Sequence, residues 1–371
     1  MYLSSLAFRS FRNLWDDHIE VHPRFNLIVG ENGQGKSNLL EAIFCLGALR
    51  GFRTYSAVDL LRFDSEAATV VAAVEGNAQA GTVRVELGRG SRKIFVDGRA
   101  SRRLSDYLGV IRVVLFVPED VHLFKNSPKE RRAFVDKAVF NVRPSYLQDL
   151  EAYNAVLKRR NMLLRDPRGE KEVLAAFDAQ LVGHGSEVLS GRLRYLSVLQ
   201  EEIKGTFAQI FGPELPVDVR YYPTWVDDVD LNRPYSSAEI EAYLSAALQA
   251  KRREEIKRGS SLVGPHRDDF DIHLDGRPAR LHASQGQHRA LVLALKIAEI
   301  IVLRDRFGVE PILLLDDISS ELDAKRNQQL FAFLEGFLGQ VFITSTNPSL
   351  LSGSDAVRVW HMREGHLDGQ G

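Results

Sequence analysis

The stretch GENGQGKS at residues 30–37 decides the fold prediction for this chain. It fits G-x-x-x-x-G-K-[ST] and follows the apolar run FNLIV at residues 25–29. Glycines let backbone N–H groups approach a bound anion, and a helix starting at the end of the loop adds the positive end of its dipole. In such a loop Lys36 reaches the β- and γ-phosphates of a nucleotide, and the Ser37 hydroxyl binds Mg²⁺. The predicted ATP-binding residues are Gly30, Glu31, Asn32, Gly33, Gln34, Gly35, Lys36, Ser37 and Asn38.

A second apolar run, ILLLDD at residues 312–317, ends on two carboxylates. The buried strand that it predicts would deliver both acids to the sheet edge that carries the glycine-rich loop. Asp316 is predicted to hold Mg²⁺, and Asp317 to polarise the attacking water. Two solvated acids at a strand end are the alternative for this motif alone, and the presence of Lys36 favours the nucleotide site.

A third element, SQGQHR at residues 284–289, opens a predicted helix shortly before the Asp316 strand. A serine hydroxyl and a glycine amide at a helix N-terminus form a second anion site. In ABC-type ATPases this element caps the γ-phosphate held by the partner subunit. Ser284, Gly286 and Gln287 are therefore predicted to bind nucleotide in trans, in a homodimer that closes on ATP. Ser-x-Gly is also an ordinary helix N-cap, so the trans role depends on the position of the motif in the chain.

The composition is that of an ordinary globular chain large enough for two lobes: 371 residues, 44% hydrophobic and 26% charged. The one cysteine, Cys45, excludes an internal disulfide and fits a reducing cytoplasm. The N-terminus has no signal-peptide pattern, and no apolar run approaches the roughly 18 residues that span a bilayer. The net charge of -1 argues against a generally basic DNA binder, so DNA affinity would come from a local patch or an assembled state.

The periodicity predicts an α/β fold with one nucleotide-binding lobe built from both chain ends and an inserted, mainly helical lobe. Because the three motifs resemble those of ABC-type P-loop ATPases, the lobe is expected to be of that type. The predicted boundaries are 1–125 and 259–371 for the ATPase lobe and 126–258 for the insertion. Several strands are predicted between residues 66 and 117, with Asp97-Gly98 as a hairpin turn. Within the insertion, Ser236 is predicted to cap a helix.

Basic residues are concentrated in the insertion. Residues 125–165 contain ten Lys/Arg and four Asp/Glu, and the triplets at residues 158–160 and 251–253 are the densest clusters. Such clusters can neutralise backbone phosphates without reading base sequence. A solvated helix face is the alternative for each triplet taken singly.

Taken together, these segments resemble the RecF family of DNA-repair proteins, which are relatives of the Rad50 and SMC ATPase heads. The resemblance covers nearly the whole chain, and its last two segments are the most specific. The matching segments are FRNL at 11–14, residues 30–38, FVPED at 116–120, Ser127-Pro128 with Arg131, Arg132 and Asp136, KRRN at 158–161, GPHRDD at 264–269, residues 284–289 and LDDISSELD at 315–323. Within the last of these, residues 320–323 follow the D-loop pattern of ABC ATPases.

The resemblance implies an ATP- and Mg²⁺-dependent clamp that dimerises on ATP, binds DNA without sequence specificity, and is reset by slow hydrolysis. It further implies a role in recombinational repair of DNA gaps, replication maintenance and the SOS response. The family helps to place the recombinase on DNA coated with single-strand-binding protein, so RecR and RecO are the implied partners. Arg12 and Asn13 are implied to contact nucleotide, with a role as ordinary loop residues as the alternative.

The chain departs from the usual ABC pattern at three positions. Most ABC ATPases carry Glu where Asp317 stands, and a shorter side chain positions water less well, which fits a slow ATPase. They also carry His at the end of the strand that here runs into Ser345-Thr346, where Thr346 is predicted to hydrogen-bond the γ-phosphate. The usual Q-loop glutamine is not evident around residues 118–120, so that role stays open. Residues 266–269 are assigned a structural or dimer-contact role.

Three other classes of protein share parts of this pattern. A metabolic P-loop phosphotransferase would need a dedicated acceptor pocket, and the segments around Ser284 and Ser320 argue against it. A chromosome-tethering SMC head would need long heptad segments that this chain lacks. A transporter ATPase subunit would need a separate membrane partner.

Overall fold

The computed structural model describes residues 1–54, 56–76, 81–101, 107, 109–123, 127–165, 171–317, 322–348, 350 and 356–370. The described strands are β1 Tyr2–Arg9, β2 Asp17–Glu20, β3 Phe25–Val29, β4 Ala67–Glu75, β5 Thr82–Gly88, β6 Ser91–Val96, β7 Arg99–Ala100, β8 Val113–Phe116, β9 Val217–Tyr222, β10 Asp269–Leu274, β11 Arg277–Pro278, β12 Ile312–Asp316, β13 Val341–Ser345, β14 Val357–Arg363 and β15 His366–Gln370.

The described helices are α1 Lys36–Ala48, α2 Pro128–Val142, α3 Tyr146–Arg165, α4 Lys171–Phe211, α5 Ser237–Arg258, α6 Ala279–His282, α7 Gln285–Phe307 and α8 Ala324–Gly336. Short 3₁₀ turns occupy Val58–Leu60 and Pro118–His122. None of the helices in the described part of the chain is both long and apolar enough to cross a membrane.

The chain forms two compact units, residues 1–121 with 303–371 and residues 122–302. The predicted boundary at residue 125 lies close to the observed one, which follows residue 121. The predicted boundary at residue 258 lies well before the observed one, which follows residue 302. The reason is that segments after residue 258 pack with the helical unit. In particular, β10 pairs antiparallel with β9, and Arg131 of α2 holds Asp269 at the start of β10 at 2.5 Å.

The first unit contains two six-stranded sheets. One has the order β2-β1-β4-β5-β6-β7 and is antiparallel. Asp97 and Gly98 join β6 to β7 with φ of 49° and 74°, which confirms the predicted hairpin, since a two-residue turn of this kind needs positive φ at both positions. This sheet carries no residue of the predicted nucleotide site.

The other sheet of the first unit has the order β15-β14-β3-β13-β12-β8. Its strands β14, β3, β13, β12 and β8 are parallel, and β15 is an antiparallel edge strand. Every residue of β3, β8, β12 and β13 is buried. Such burial is expected of parallel strands covered on both faces, and it explains why these strands are continuous apolar runs. Their carboxyl ends meet at one edge, where α1 begins.

The second unit contains α2 to α6, most of α7, and the three-stranded sheet β11-β10-β9. The unit is mainly helical, as predicted, but the strand β9 was not anticipated. Helix α4 has 41 residues and is therefore about 60 Å long. Ser236 caps α5, because its Oγ accepts the N–H of Glu239 at 3.2 Å, which confirms the predicted cap.

Candidate nucleotide site

The glycine-rich loop joins β3 to α1, and its shape depends on glycine. Gly35 has φ of 112°, a conformation that residues with a side chain rarely adopt. At Gly30 a Cβ atom would lie 2.4 Å from the carbonyl oxygen of Met362, so the loop passes β14 at a distance that only glycine permits. The loop therefore turns tightly enough to aim the N-terminus of α1 at the space beside it.

Lys36 is held against the backbone of this loop. Its Nζ donates to the carbonyl oxygens of Gly30 at 2.7 Å and Glu31 at 2.9 Å, and the residue is 6% exposed. Burial lowers the pKa of Lys36, while the nearby carboxylates of Asp317 and Asp316 act in the opposite direction. The ammonium group is thus fixed at the loop, close to Asp316 and Asp317, which the sequence predicted to belong to the same nucleotide site.

Asp316 lies at the end of β12, where three side chains converge on its carboxylate. The Ser37 hydroxyl donates to Oδ1 at 2.8 Å, the Thr344 hydroxyl donates to the same oxygen at 2.8 Å, and Arg53 Nη2 lies 3.3 Å from Oδ2. Serine hydroxyl and carboxylate oxygens are the hard ligands that Mg²⁺ prefers. The predicted metal pair, Ser37 and Asp316, is therefore adjacent and has suitable chemistry for the ion.

Thr344 also fixes the backbone of Asp317. The N–H of Asp317 donates to Thr344 Oγ1 at 2.9 Å, and Asp317 has φ of 48°. One hydroxyl thus links both acids. The signal that points to Thr344 is its register, because it pairs with Asp316 across the parallel strands β12 and β13. Thr346, the residue that the sequence favoured, is exposed beyond the end of β13, and its catalytic role stays a prediction.

A cavity of about 300 Å³ lies between the loop and the acids. It is lined by Asn32, Gly33, Gly35, Lys36, Ser37, Asn38, Arg53, Pro118, Glu119, Asp316 and Asp317. Arg53 belongs to none of the segments that the sequence singled out, and Glu119 lies in the FVPED segment but was not predicted as a site residue. Of residues 118–120, Pro118 and Glu119 line the cavity. Asp120 turns its Oδ2 back to accept the N–H of Val117 at 3.0 Å, and the Q-loop role stays open.

Arg12 and Asn13 have different positions relative to the loop. Asn13 Oδ1 accepts a hydrogen bond from Asn38 Nδ2 at 2.7 Å, and a Cβ atom on Gly35 would lie 2.9 Å from the same oxygen. Arg12 instead forms an ion pair of 2.7 Å with Glu41 of α1, whose side chain is fully buried. Asn13 therefore supports the loop directly, whereas Arg12 acts through α1.

The side chain of Gln34 also supports the loop from outside the cavity. Gln34 Oε1 accepts the N–H of Glu364 at 2.7 Å, and its carbonyl oxygen accepts the N–H of Gly365 at 2.9 Å. The turn between β14 and β15 thus anchors the loop at its centre. Nucleotide contact by Gln34 and Arg12 remains a prediction.

Comparison with known proteins agrees with this geometry. Residues 2–367 match the family model described as RecF/RecN/SMC N terminal domain. A relative from Geotalea daltonii, the DNA replication and repair protein RecF, is 40% identical over 369 residues, which cover 99% of this chain and 100% of the relative. This chain belongs to the RecF family. A RecF from Myxococcus xanthus is 39% identical over 360 residues, 96% of this chain and 93% of the relative.

Solved RecF structures have the same fold as this RecF-family chain. The recombination mediator protein RecF-ATPrS in the RecFOR pathway superimposes with a TM-score of 0.90 at 31% identity, covering 100% of this chain and 98% of that one. The corresponding RecF-ATP structure gives a TM-score of 0.88. An SMC head bound to the C-winged helix domain of ScpA, at 17% identity and a TM-score of 0.55, shares the fold alone. The predicted family and ABC-type ATPase fold are therefore confirmed.

The trans motif of the RecF-family chain lies in the second unit, at the N-terminus of α7. Ser284 Oγ accepts the N–H of Gln287 at 3.2 Å, and Gln287 Oε1 accepts the N–H of Ser284 at 2.7 Å, which is a capping box. Ser284 is exposed, and a Cβ atom on Gly286 would meet Ser284 Oγ only at 4.0 Å. The trans role stays a prediction. Of the predicted D-loop at residues 320–323, residues 320 and 321 lie outside the described residues.

The basic triplets are partly structural. Arg160 is fully buried, with Asp178 at 2.7 Å and Glu255 at 2.6 Å, so it is not available to DNA. Arg252 pairs with the same Asp178, and Lys251 lies 3.1 Å from Glu254. Arg160 therefore fits neither a DNA contact nor the solvated-face alternative, and Lys251 and Arg252 are paired with acids of the same unit. The side chains of Lys158, Arg159 and Arg253 are exposed. Lys125, the first residue of the basic segment, lies outside the described residues.

Proposed function

We propose that this RecF-family chain is an ATP-dependent DNA-binding clamp, which dimerises on ATP and is reset by slow hydrolysis. The observation that carries the proposal is the convergence of Lys36, Ser37 and Asp316 on one cavity. Its relatives are DNA replication and repair proteins, and its structural neighbours include RecF with ATP in the RecFOR pathway. These names support a role in recombinational repair, with RecR and RecO as partners.

The side chains of the cavity suit binding and slow hydrolysis of ATP. Lys36 neutralises the β- and γ-phosphates, and Ser37 and Asp316 would hold Mg²⁺, which supplies further neutralisation of phosphate charge. Asp317 orients the attacking water, and its short side chain reaches less far than glutamate would. Arg53 adds a second cation at the phosphate end of the cavity, because it already contacts the Asp316 carboxylate. Glu119 follows the carboxyl end of β8 and lines the cavity at the same edge of the sheet.

Thr344→Val is expected to slow hydrolysis about tenfold. The valine removes the hydroxyl that donates to Asp316 and accepts from the Asp317 N–H, and a buried unsatisfied donor costs about 1–3 kcal/mol. Hydrolysis rate and thermal unfolding would be measured together. Thr344→Ser retains the hydroxyl and should recover the rate. Equal rates in the valine variant and the parent chain would show that this hydroxyl does not position the acids.

The DNA-binding surface that we propose lies where the C-terminal ends of α3 and α5 converge. The ends are joined by Arg160 with Glu255 at 2.6 Å and by Arg165 Nε with the Gly259 carbonyl oxygen at 3.2 Å. Four exposed basic residues stand there and are called the helix-end patch: Lys158, Arg159, Arg253 and Lys257. The buried Arg160–Glu255 ion pair keeps the two helix ends adjacent, and we propose that the four exposed cations contact backbone phosphates of DNA.

Changing all four residues of the helix-end patch to alanine is expected to weaken ATP-dependent duplex binding at least about tenfold. The slope of log affinity against log salt should fall by about one for each lost phosphate contact. Fluorescence anisotropy at several salt concentrations would measure both quantities. The matched control removes four exposed basic residues of the first unit, Arg89, Arg92, Lys93 and Arg99. An equal loss in both variants would mean that net charge, not this patch, governs binding.

Light scattering tests the clamp proposal as a whole. The molar mass would be measured without nucleotide and with ADP, ATP or a non-hydrolysable ATP analogue, each with and without duplex DNA. The proposal requires that the chain dimerises only when a nucleoside triphosphate is present. It also requires that the chain binds DNA only as this dimer. A monomer under every condition would contradict the clamp and the trans role of Ser284.

A further inference from the structure

The second unit contains a cavity of about 360 Å³ that the nucleotide site does not use. It lies beside the N-terminal half of α2 and is called the α2 cavity. Lys129 and Arg132 of α2 line it together with the apolar groups of Leu150, Tyr153 and Pro265. Its volume falls in the range of about 300–1,000 Å³ that is usual for small-molecule sites. Its charged groups decide what it can bind.

One ion pair in the wall of the α2 cavity is internally satisfied. Arg192 Nε and Nη2 donate to the two carboxylate oxygens of Asp136 at 2.7 and 3.0 Å, and Nη1 donates to the Pro265 carbonyl oxygen at 2.6 Å. The Tyr146 hydroxyl donates to the same carboxylate at 2.5 Å. The charges of Arg192 and Asp136 therefore cancel, and each nitrogen of the guanidinium already donates a hydrogen bond within the protein.

His266 adds no charge to the cavity near neutral pH. Its Nδ1 lies 2.6 Å from the Tyr153 hydroxyl, and its Nε2 lies 3.2 Å from the Ser261 carbonyl oxygen. A carbonyl can only accept, so Nε2 carries the proton and Nδ1 accepts from the tyrosine. Burial lowers the pKa of His266 to about 4, in agreement with a neutral ring. Both ring nitrogens are thus used within the protein.

The charge that remains belongs to Lys129 and Arg132. They stand three residues apart on α2, so their side chains share one face of the helix. Lys129 is exposed, and Arg132 is partly exposed, with its Nη1 donating to the Asp268 carbonyl oxygen at 2.8 Å. This bond fixes the guanidinium group and leaves its other N–H groups at the cavity. The α2 cavity therefore presents two cations beside an apolar wall.

We propose that the α2 cavity binds the phosphate group of a nucleotide, with Lys129 and Arg132 as the contacts to phosphate. The planar fork of arginine together with a lysine ammonium suits a phosphate better than a single carboxylate. Tyr153, Leu150 and Pro265 give the attached nucleoside an apolar surface that inorganic phosphate would not use. The phosphate comes either from a free mononucleotide or from the terminal nucleotide of a DNA strand. The α2 cavity shares no lining residue with the cavity at Lys36.

The test uses the full chain carrying Lys36→Met, so that the first nucleotide site does not contribute. Binding would be measured by titration calorimetry with AMP, with inorganic phosphate, and with a short single strand that carries either a 5′-phosphate or a 5′-hydroxyl. Two variants probe the cavity: Lys129→Ala with Arg132→Gln removes the charge, and Asn154→Trp narrows the space. Asn154 lines the cavity and is exposed, so the larger ring leaves the packed interior unchanged.

Both variants are expected to weaken binding at least about tenfold. The first removes hydrogen bonds between charged groups and phosphate, which are among the strongest in proteins, and the second fills the space that the ligand would occupy. Removing the same charge at Arg92 and Lys93 of β6 should leave binding unchanged. If the cavity variants lose affinity for AMP, the ligand is a free mononucleotide. If they lose affinity only for the 5′-phosphorylated strand, the ligand is a DNA end. The proposal is overturned if no probe binds the Lys36→Met chain, or if the cavity variants bind as the control does. Neither result depends on dimerisation, so failure here is distinct from failure of the clamp proposal.

Discussion

Replacing Lys36 with methionine is expected to weaken ATP binding more than about a hundredfold and to abolish ATP-dependent dimerisation. The lysine supplies the buried cation of the cavity, and each charge-assisted hydrogen bond that is lost costs about 1.5–3 kcal/mol. Its removal also leaves the Gly30 and Glu31 carbonyl oxygens without their donor. Equilibrium binding of a fluorescent ATP analogue and light scattering with ATP measure the two effects.

The same substitution at Lys93 is the control for Lys36→Met. Lys93 is exposed on β6, so methionine there changes the net charge equally without touching the cavity. The Lys93 variant should bind ATP and dimerise as the parent chain does. A Lys36→Met chain that still dimerises with ATP would show that nucleotide in this cavity does not drive assembly.

The second large effect is expected from Ser284→Arg, which should preserve ATP binding by the monomer and prevent dimer closure. Ser284 is exposed at the start of α7, where an arginine side chain would fill the space required by the partner's phosphates. Ser236→Arg is the matched control, because Ser236 caps α5 in the same manner and lies outside the motif. Both variants lose an N-cap worth about 0.5–2 kcal/mol, but Ser284→Arg alone should lose the dimer.

Mixing the two variants gives a sharper test of the trans role. In a heterodimer of Lys36→Met with Ser284→Arg, one site carries both substitutions and the other carries neither. ATP hydrolysis is therefore expected to recover in the mixture although each variant alone is inactive. Loss of ATP binding in the Ser284→Arg monomer would place Ser284 in its own subunit's site, and a mixture that stays inactive would argue against two composite sites.

The sequence by itself determined the loop, α1 and the acids at the end of β12. The loop is encoded locally, because Gly30 and Gly35 permit backbone geometry that other residues resist. The strands β3 and β12 are equally local, since a parallel strand buried on both faces must be a continuous apolar run. Residues whose role follows from such short-range constraints can be predicted without a structure.

Which distant side chains complete the site depends on how the chain packs. Arg53 belongs to no predicted motif, and Glu119 lies in a family segment without a predicted site role; both reach the cavity through chain segments whose position depends on packing. Thr344 contacts Asp316, because the register of β13 against β12 places the two residues side by side. A strand pattern fixes which residues are buried but not which partner each one meets.

Contacts between distant segments also explain why the second unit extends past residue 258 and why parts of the basic triplets are engaged in ion pairs. Charge and hydropathy mark Arg160 as a surface residue, yet Asp178 and Glu255, distant in sequence, neutralise it in the interior. Likewise, β10 joins the helical unit because its pairing partner is β9. The sequence determines local conformation and the alternation of burial, whereas ion pairing and strand pairing between distant segments are settled when the chain packs.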